Sequence, residues 1–329
     1  MTPYRDYKRP HRREDYCTKS TTVDADQDAE CPEWERFLHR IMDGDADMVA
    51  YLRRVCGYCL TGEVNEHVLF FLWGTGANGK STFANVLLGI LGTGPSGYAA
   101  VAPMSTFTAS RSDQHPTDLA MLRAVRVVVA HETEEGRSWA ISKLKMMTGD
   151  DLITARFMRQ DFFTYKPQFK VMILGNHKPS LHNVDEATRR RFHLIPFTVT
   201  IPKAEQDRRL GEKLKAEYPA ILHWMIQGCA DWDEQGLAPP AKVLAATDAY
   251  LLNEDSIAAW MSECCQLGPQ HYATLVELFA SWRMWAENSG ERIGSRKQLA
   301  KQLDVRAGLT RHRQGRTGRD GWEGIGLRL

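Results

Sequence analysis

Four groups of residues have types and spacings that could do chemistry. Gly74-Thr75-Gly76-Ala77-Asn78-Gly79-Lys80-Ser81 matches G-x-x-x-x-G-K-[ST]. Glycines in such a run let successive backbone N–H groups point at one anion. Lys80 would reach the β- and γ-phosphates of a nucleoside triphosphate, and the Ser81 hydroxyl would ligand Mg²⁺. The second group is His131-Glu132-Thr133-Glu134-Glu135-Gly136, which follows the apolar run Ala124–Ala130. A carboxylate there would hold Mg²⁺ through water and polarise an attacking water. Glu132 is first off the strand and is the leading candidate, with Glu134 next. The third is Asn176, placed after Phe169–Gly175 where a side-chain amide can bond a γ-phosphate or its water. The fourth is Arg189-Arg190-Arg191, three cations entering a strand. They form either a solvated basic corner or an arginine finger that reaches a neighbouring subunit's γ-phosphate.

Position in the chain turns the first group from a string into a loop. Val68 to Trp73 reads as a buried strand, and Phe83 to Leu91 as an apolar-periodic helix that stops at Gly92. Strand, glycine loop and helix N-terminus together make an anion site. Two more core strands are expected, Ala124–Ala130 and Phe169–Gly175, with a further one at His193–Phe197. Ile153–Tyr165 is rich in aromatic and β-branched residues and reads as a hairpin with its tip near Arg159–Asp161. Asn176-His177-Lys178-Pro179 is not the N-K-x-D guanine reader, which argues against a GTPase.

Elsewhere the pattern is helical. Residues 1–30 are polar, with a basic head (Arg5, Lys8, Arg9, Arg12, Arg13) and an acidic stretch, and read as a solvated tail or linker. Residues 31–64 read as a helical hairpin opened by Pro32. Residues 103–118 read as an exposed loop. Charged helices are expected from about Glu205 to Cys229, then one run from about Ala241 to Cys265 after Pro239-Pro240. The region ends in helices followed by a Gly/Arg-rich hairpin, the order of a winged helix. From Glu291 onward there are ten basic residues against four acidic. That local excess marks a DNA-phosphate contact, with Arg311 and Arg313 as candidates.

The totals exclude several classes. The 329 residues carry a formal net charge of +1, so any polyanion must be held by local patches. No apolar run approaches a membrane span and no apolar signal core opens the chain. The expectation is a cytoplasmic protein with no membrane partner. Seven cysteines make no disulfide framework. Cys56 and Cys59 fall in register with Met48, Val49, Leu52 and Val55, so this C-x-x-C reads as core rather than zinc.

Taken together, the chain resembles the superfamily 3 helicase domain of phage and plasmid primase–helicases, related to poxvirus-type replication ATPases. The resemblance covers roughly residues 30–329. It rests on C-P-E-W-E-R-F-L at 31–38, G-T-G-A-N-G-K-S-T at 74–82, H-E-T-E-E-G at 131–136, K-M-M-T-G-D-D at 145–151, A-R at 155–156, I-L-G-N-H-K-P at 173–179 and R-R-F-H-L-I-P-F at 190–197. It implies an α/β fold, a P-loop AAA+-like ATPase core with a parallel sheet, an N-terminal helical segment and a C-terminal helical or winged-helix module. The spans are 1–30, 31–64, 65–200 for the core, 201–245 for a helical lid or connector, and 246–329 for the DNA-binding module.

The resemblance also implies roles. Gly74, Thr75, Gly76, Ala77, Asn78, Gly79, Lys80, Ser81 and Thr82 bind ATP, and Ser81 with Glu132 holds Mg²⁺. Lys80, Glu132, Asn176 and Arg190 or Arg191 are catalytic. Relatives often carry an aromatic where this chain has Arg189, which leaves the finger open among three arginines. Lys145 and Arg156 match a further family motif. The hairpin at about 157–166 lines a channel for single-stranded DNA, with Arg159 and Lys166 as its cations. Phe162 and Phe163 cannot both face that channel. The implied protein is a hexameric, ATP-driven helicase acting on single-stranded and forked DNA in replication of a phage, plasmid or integrated element. No primase segment is expected in this chain, so a primase or other replication partner is either separate or fused in a longer protein. Two rivals stay open: a DNA-stimulated ATPase switch or loader, and a P-loop small-molecule kinase.

Overall fold

A computed structural model describes residues 12–109, 117–132, 138–181, 186–291, 293–313 and 320–328, without the side chains of Asn253 and Arg313. The chain divides into two units, Met1–Ala249 and Tyr250–Leu329.

The first unit is built on helices α1 (Pro32–Ile41) and α2 (Ala46–Tyr58), strand β1 (Leu69–Trp73), helix α3 (Lys80–Leu91), β2 (Ala99–Val101), α4 (Thr117–Ala120), β3 (Val127–His131), α5 (Ile141–Met147), β4 (Ile153–Ala155), β5 (Phe163–Tyr165), β6 (Lys170–Gly175), α6 (Glu186–Arg189), β7 (Phe192–Pro196), α7 (Leu210–Ala216) and α8 (Tyr218–Gln235), with α9 (Ala241–Asn253) after Pro239-Pro240. Five strands form one parallel sheet in the order β2-β3-β6-β1-β7. Its strands are continuous apolar runs because helices and loops cover both faces. Phe70, Leu72, Met172 and Leu174 face a core shared with Trp34, Phe37, Leu52, Phe83 and Met225. On the other face Phe71 and Phe192 meet Trp139 edge-on. The exposed edge of β7 is covered where Leu194 N–H donates to Thr247 Oγ1 at 2.9 Å.

Polar contacts at their first turns fix the helices α1 and α2. The Glu217 carboxylate accepts from the Glu33 and Trp34 N–H groups at 3.0 and 2.9 Å, capping α1 where Cys31 offers no side-chain cap. Asp45 caps α2 by accepting from Met48 N–H. α2 and α8 meet at Gly57 and Gly228, where an added Cβ would lie 2.0 Å from Cys229 N and 2.1 Å from Arg53 O.

Several expectations change. Part of the segment read as a solvated tail is bound: Thr22 N–H donates to Ile90 O at 2.9 Å, Lys19 Nζ to Gly97 O at 2.6 Å and Asp26 N–H to Pro219 O at 3.1 Å. Val23 and Ala25 pack against the core. For Thr22 the reason is that the end of α3 leaves carbonyls without intrahelical donors, and its N–H and hydroxyl supply them at Ile90 and Gly89. In the stretch read as an exposed loop, Met104, Thr106, Phe107 and Thr108 are buried, and β2 precedes it unannounced. Residues 110–116 of that stretch lie outside the described residues.

The second unit contains α10 (Ser256–Cys264), β8 (Cys265–Thr274), α11 (Leu275–Ser289), α12 (Arg296–Asp304), β9 (Thr310–Arg313) and β10 (Asp320–Leu327). Its strands form an antiparallel sheet in the order β8-β10-β9. Trp260, Leu278, Trp282, Leu299, Leu303, Trp322 and Ile325 make its core. The single helical run expected over Ala241–Cys265 is two helices. Asp255 breaks it by capping α10 through Ala258 N–H and pairing with Arg306. The ten-residue β8 was not expected from its Gly, Pro and Gln content, and pairing with β10 overrides that local preference.

Candidate functional site

The glycine loop, residues 74–79, joins the carboxyl end of β1 to the N-terminus of α3. Gly76 and Gly79 take φ of 105° and 84°, and Ala77 also adopts positive φ, 47°. An added Cβ at Gly79 would lie 2.6 Å from Ile41 and 3.0 Å from Phe37, so α1 packs directly against the loop. Among the described residues, the N–H groups of Thr75 to Gly79 have no protein acceptor. A curled backbone with open donors at a helix start is a cradle for an anion such as a phosphate.

Lys80 is 5% exposed. Its Nζ donates to Gly74 O at 2.5 Å, Asn78 Oδ1 at 3.1 Å and Asn176 Oδ1 at 3.1 Å. Burial lowers the pKa of this ammonium. All three acceptors are neutral, so no charged group competes with an incoming phosphate among these bonds. Ser81 is exposed on the first turn of α3, and Thr82 is half-buried beside it. A hydroxyl open to solvent beside the cradle suits a Mg²⁺ ligand.

Asn176 meets Lys80 because β6 lies beside β1 in the sheet, and Glu132 stands at the same end of the sheet because β3 lies on the other side of β6. Asn176 directly follows β6 and is exposed; with its Oδ1 taken by Lys80, its Nδ2 remains as a donor. Glu132 directly follows β3, and its Oε2 accepts from His177 N–H at 2.8 Å. A Cβ on Gly175 would come within 2.6 Å of that oxygen and 2.7 Å of the Phe71 ring. Gly175 therefore makes the room in which the acid lies. Glu134 lies outside the described residues. Sequence reasoning missed Gly175, although a glycine between an apolar strand and a candidate Asn is a readable signal for close approach. It also missed Trp73, whose Nε1 donates to Asn176 O at 3.1 Å while Lys178 lies 4.2 Å from its ring centroid.

The three arginines separate. Arg189 pairs with Asp248 at 3.4 Å, Arg191 Nη1 donates to Ala187 O at 2.6 Å, and Arg190 is exposed. They precede the amino end of β7, which runs parallel to β1 with Phe192 opposite Leu69. The glycine loop leaves the carboxyl end of β1. The arginines and the loop are thus separated along the strand by roughly 16 Å.

The predicted hairpin is present as β4 paired with β5. Arg159 stands exposed in its connection with φ 59°, flanked by exposed Phe157, Met158 and Phe162. Arg156 lies 4.6 Å from the Phe162 ring centroid. Phe162 faces solvent, whereas Phe163 is partly buried against Phe157 and Tyr165. Lys166 is exposed but bonded to Asp150 at 3.0 Å. In the second unit, Arg311 is engaged by Asp304 and Asp320 at 3.4 and 2.9 Å and lies over Trp322. The side chain of Arg313 lies outside the described residues. Arg296, Lys297 and Lys301 on α12 are exposed.

A family model described as "D5 N terminal like" matches residues 6–43, and one described as "Family of unknown function (DUF5906)" matches residues 72–191. The chain is 31% identical over 256 residues to "Putative helicase L207/L206" of Acanthamoeba polyphaga mimivirus, covering 71% of this chain and 26% of that protein. It is 26% identical over 315 residues to "Putative helicase 022R" of Frog virus 3 (isolate Goorha), covering 88% of this chain and 31% of that protein. The matches are thus to a D5-named domain model and to proteins of large DNA viruses named as helicases. The chain spans less than a third of the length of these curated relatives. Two apo structures of the NrS-1 C-terminal region superpose with TM-scores of 0.55 and 0.51 at 12% and 13% identity, over 88% of this chain and 66% of each of those chains. At that identity the likeness is one of fold. Among the described residues, no helix is long and apolar enough to cross a membrane.

Proposed function

We propose that this chain is the ATP-driven motor segment of a replicative DNA helicase of superfamily 3, working as a ring of identical subunits. The observation that carries the reading is an opposition within one sheet. Lys80, Asn176 and Glu132 gather at its carboxyl end, and Arg190 and Arg191 stand at its amino end. Arginines so placed serve a second copy's ATP more readily than their own. That is why ATP is assigned to subunit interfaces.

In this reading the N–H groups of the loop take the phosphates, and the Lys80 ammonium exchanges its amide oxygens for β- and γ-phosphate oxygens. Ser81 and Glu132 would hold Mg²⁺, which would supply positive charge against the phosphates. Glu132 polarises the attacking water, and the Asn176 amide donates to the γ-phosphate. Arg190, the exposed member of the triplet, is the finger. Arg159 and the exposed aromatics of the β4–β5 connection hold single-stranded DNA by charge and stacking.

The order helix, strand, two helices and two strands in the second unit supports a winged-helix reading. With Arg311 already engaged by carboxylates, the exposed cations of α12 are its phosphate contacts. The activity serves replication of a DNA virus, phage, plasmid or integrated element.

The test is ATP hydrolysis with and without single-stranded DNA, for wild type, Lys80→Ala and Arg190→Ala, with mass measured in the same buffer and strand displacement on forked DNA. DNA-stimulated hydrolysis by a large oligomer, lost in both variants, with strand displacement, is expected. Mixing the two variants restores part of the activity if the arginine acts across a subunit interface. Stimulated hydrolysis without displacement assigns a switch or loader instead. A monomer indifferent to DNA overturns the motor and returns the kinase reading.

A further inference from the structure

Asn78 lies inside the phosphate loop but is 4% exposed, while Thr75 and Ala77 are open to solvent. Both ends of its amide are used. Nδ2 donates to Phe197 O at 3.0 Å, and Oδ1 accepts from Lys80 Nζ at 3.1 Å. The amide nitrogen only donates and the oxygen only accepts. The Phe197 carbonyl therefore sets the orientation of the amide and turns its oxygen toward Lys80. Phe197 is itself held, since its N–H donates to Trp73 O at 2.7 Å just beyond the paired ends of β7 and β1. Gly74 closes the arrangement: an added Cβ would lie 2.3 Å from Asn78 Nδ2 and 2.2 Å from Phe197 O. The phosphate-loop pattern leaves position 78 open to any residue. What this chain adds at that position is burial and two hydrogen bonds.

We infer that Asn78 is a positioning residue that brackets Lys80 against the carboxyl end of β7 and holds its ammonium pre-aimed at the place where phosphates enter. The inference rests on the ATP-binding reading and deepens it. Of the side chains bonded to Lys80, Asn176 is exposed and its Nδ2 is open to a ligand, whereas Asn78 is buried and fixed at both ends. Asn78 thus supplies the preorganised part of the contact. A lysine side chain carries several rotatable bonds, and restraining them before the ligand arrives raises affinity. The effect runs through Lys80, so Asn78 adds nothing where Lys80 is gone.

A double-mutant cycle tests this, with the dissociation constant of a non-hydrolysable ATP analogue with Mg²⁺ measured for wild type, Asn78→Ala, Lys80→Ala and the double variant. Asn78→Ala is expected to weaken binding about tenfold, the scale of one hydrogen bond to a charged group. In the Lys80→Ala background the same change is expected to shift affinity by less than about twofold. Asn78→Asp, nearly the same shape, loses the donor to Phe197 O and pins Lys80 in an ion pair. It is expected to weaken binding by more than the Ala change, and it decides the question if Asn78→Ala fails to fold. Thermal unfolding of each nucleotide-free variant separates loss of fold from loss of aim. Additive effects of Asn78→Ala and Lys80→Ala, or unchanged affinity in both Asn78 variants, overturn the inference while leaving ATP binding intact. Unchanged affinity in Lys80→Ala overturns the ATP reading and the inference with it.

Discussion

Lys80 and Lys170 stand at opposite edges of the same parallel sheet, and each buries an ammonium among oxygen atoms. Lys80 opens α3 at the carboxyl edge, while Lys170 opens β6 at the amino edge. Lys170 is 2% exposed and donates to Thr61 O at 2.5 Å, Glu63 O at 3.3 Å and Gln168 O at 3.5 Å, with Nζ 4.7 Å from the Tyr58 ring centroid. Beside it Arg126 donates to Leu60 O at 2.5 Å. The two cations close off the chain where α2 ends, satisfying carbonyls that have no helical donor and opposing the negative end of its dipole. Burial lowers the pKa of both lysines, that of Lys170 to about 8. The chemistry of the two ammonium groups is therefore alike, and their surroundings differ. Lys170 is held by three backbone carbonyls and, at 3.5 Å, the Thr61 hydroxyl. Lys80 is held partly by side-chain amides, beside open N–H donors and the exposed Ser81 and Asn176. A buried cation marks a site when its partners can be exchanged and its neighbours are still seeking partners.

The sharpest way to break this contrast is to delete each lysine. Lys80→Ala is expected to lower ATP turnover at least about 100-fold, with a smaller loss of unfolding free energy than Lys170→Ala. The sealed side of the molecule is next, probed by acid. His193 on β7 shares a 2.7 Å hydrogen bond with Tyr51, and burial pushes its pKa from 6.5 down to about 4. The folded chain therefore keeps the imidazole neutral while the unfolded chain protonates near pH 6.5. Stability is full above that pH and is lost as pH falls toward 4, by about 3 kcal/mol. Urea unfolding at several pH values checks it, and His193→Phe should remove this part of the acid dependence.

Lys170→Ala is expected to cost about 2 kcal/mol of stability, the worth of bonds from a charged donor, while the KM for ATP stays unchanged. A raised KM with intact stability would erase the distinction between the two lysines. The smallest expected effect refines the open side. Gly175→Ala displaces the Glu132 carboxylate and is expected to lower kcat about tenfold with little change in nucleotide affinity, since it leaves Lys80 and the loop N–H groups in place. Steady-state kinetics with equilibrium nucleotide binding separates the two quantities.

Much of the open side could be read from residue order alone. The strand, glycine loop and helix around Lys80 are contiguous, so local pattern was enough, and the apolar runs leading to Glu132 and Asn176 were visible as buried strands. The sealed side was nearly invisible. Lys170 reads as an ordinary strand-opening cation, and its carbonyl partners near Thr61 lie 109 residues away in sequence. Cys56 and Cys59 were legible as core by helical spacing, and both are fully buried. The binding of residues 19–26 to α3 and α8 was not legible, because the acceptors are backbone carbonyls that every sequence possesses. The break at Asp255 was missed because the residues on both sides favour helix.

By itself the sequence determined which residues are chemically equipped, and on which short elements they ride, since periodicity, glycine loops and caps are local properties. Only the tertiary structure decided their company. Strand order brought Asn176 to Lys80 across 96 residues and hung Glu132 on the N–H of His177. It also left Arg190 exposed while Arg189 and Arg191 were engaged, and it surrounded Arg311 with carboxylates. Those outcomes depend on sheet order and on which distant oxygen lies within hydrogen-bond reach. No local periodicity encodes either, because contact between remote segments is settled by the packing of the whole core.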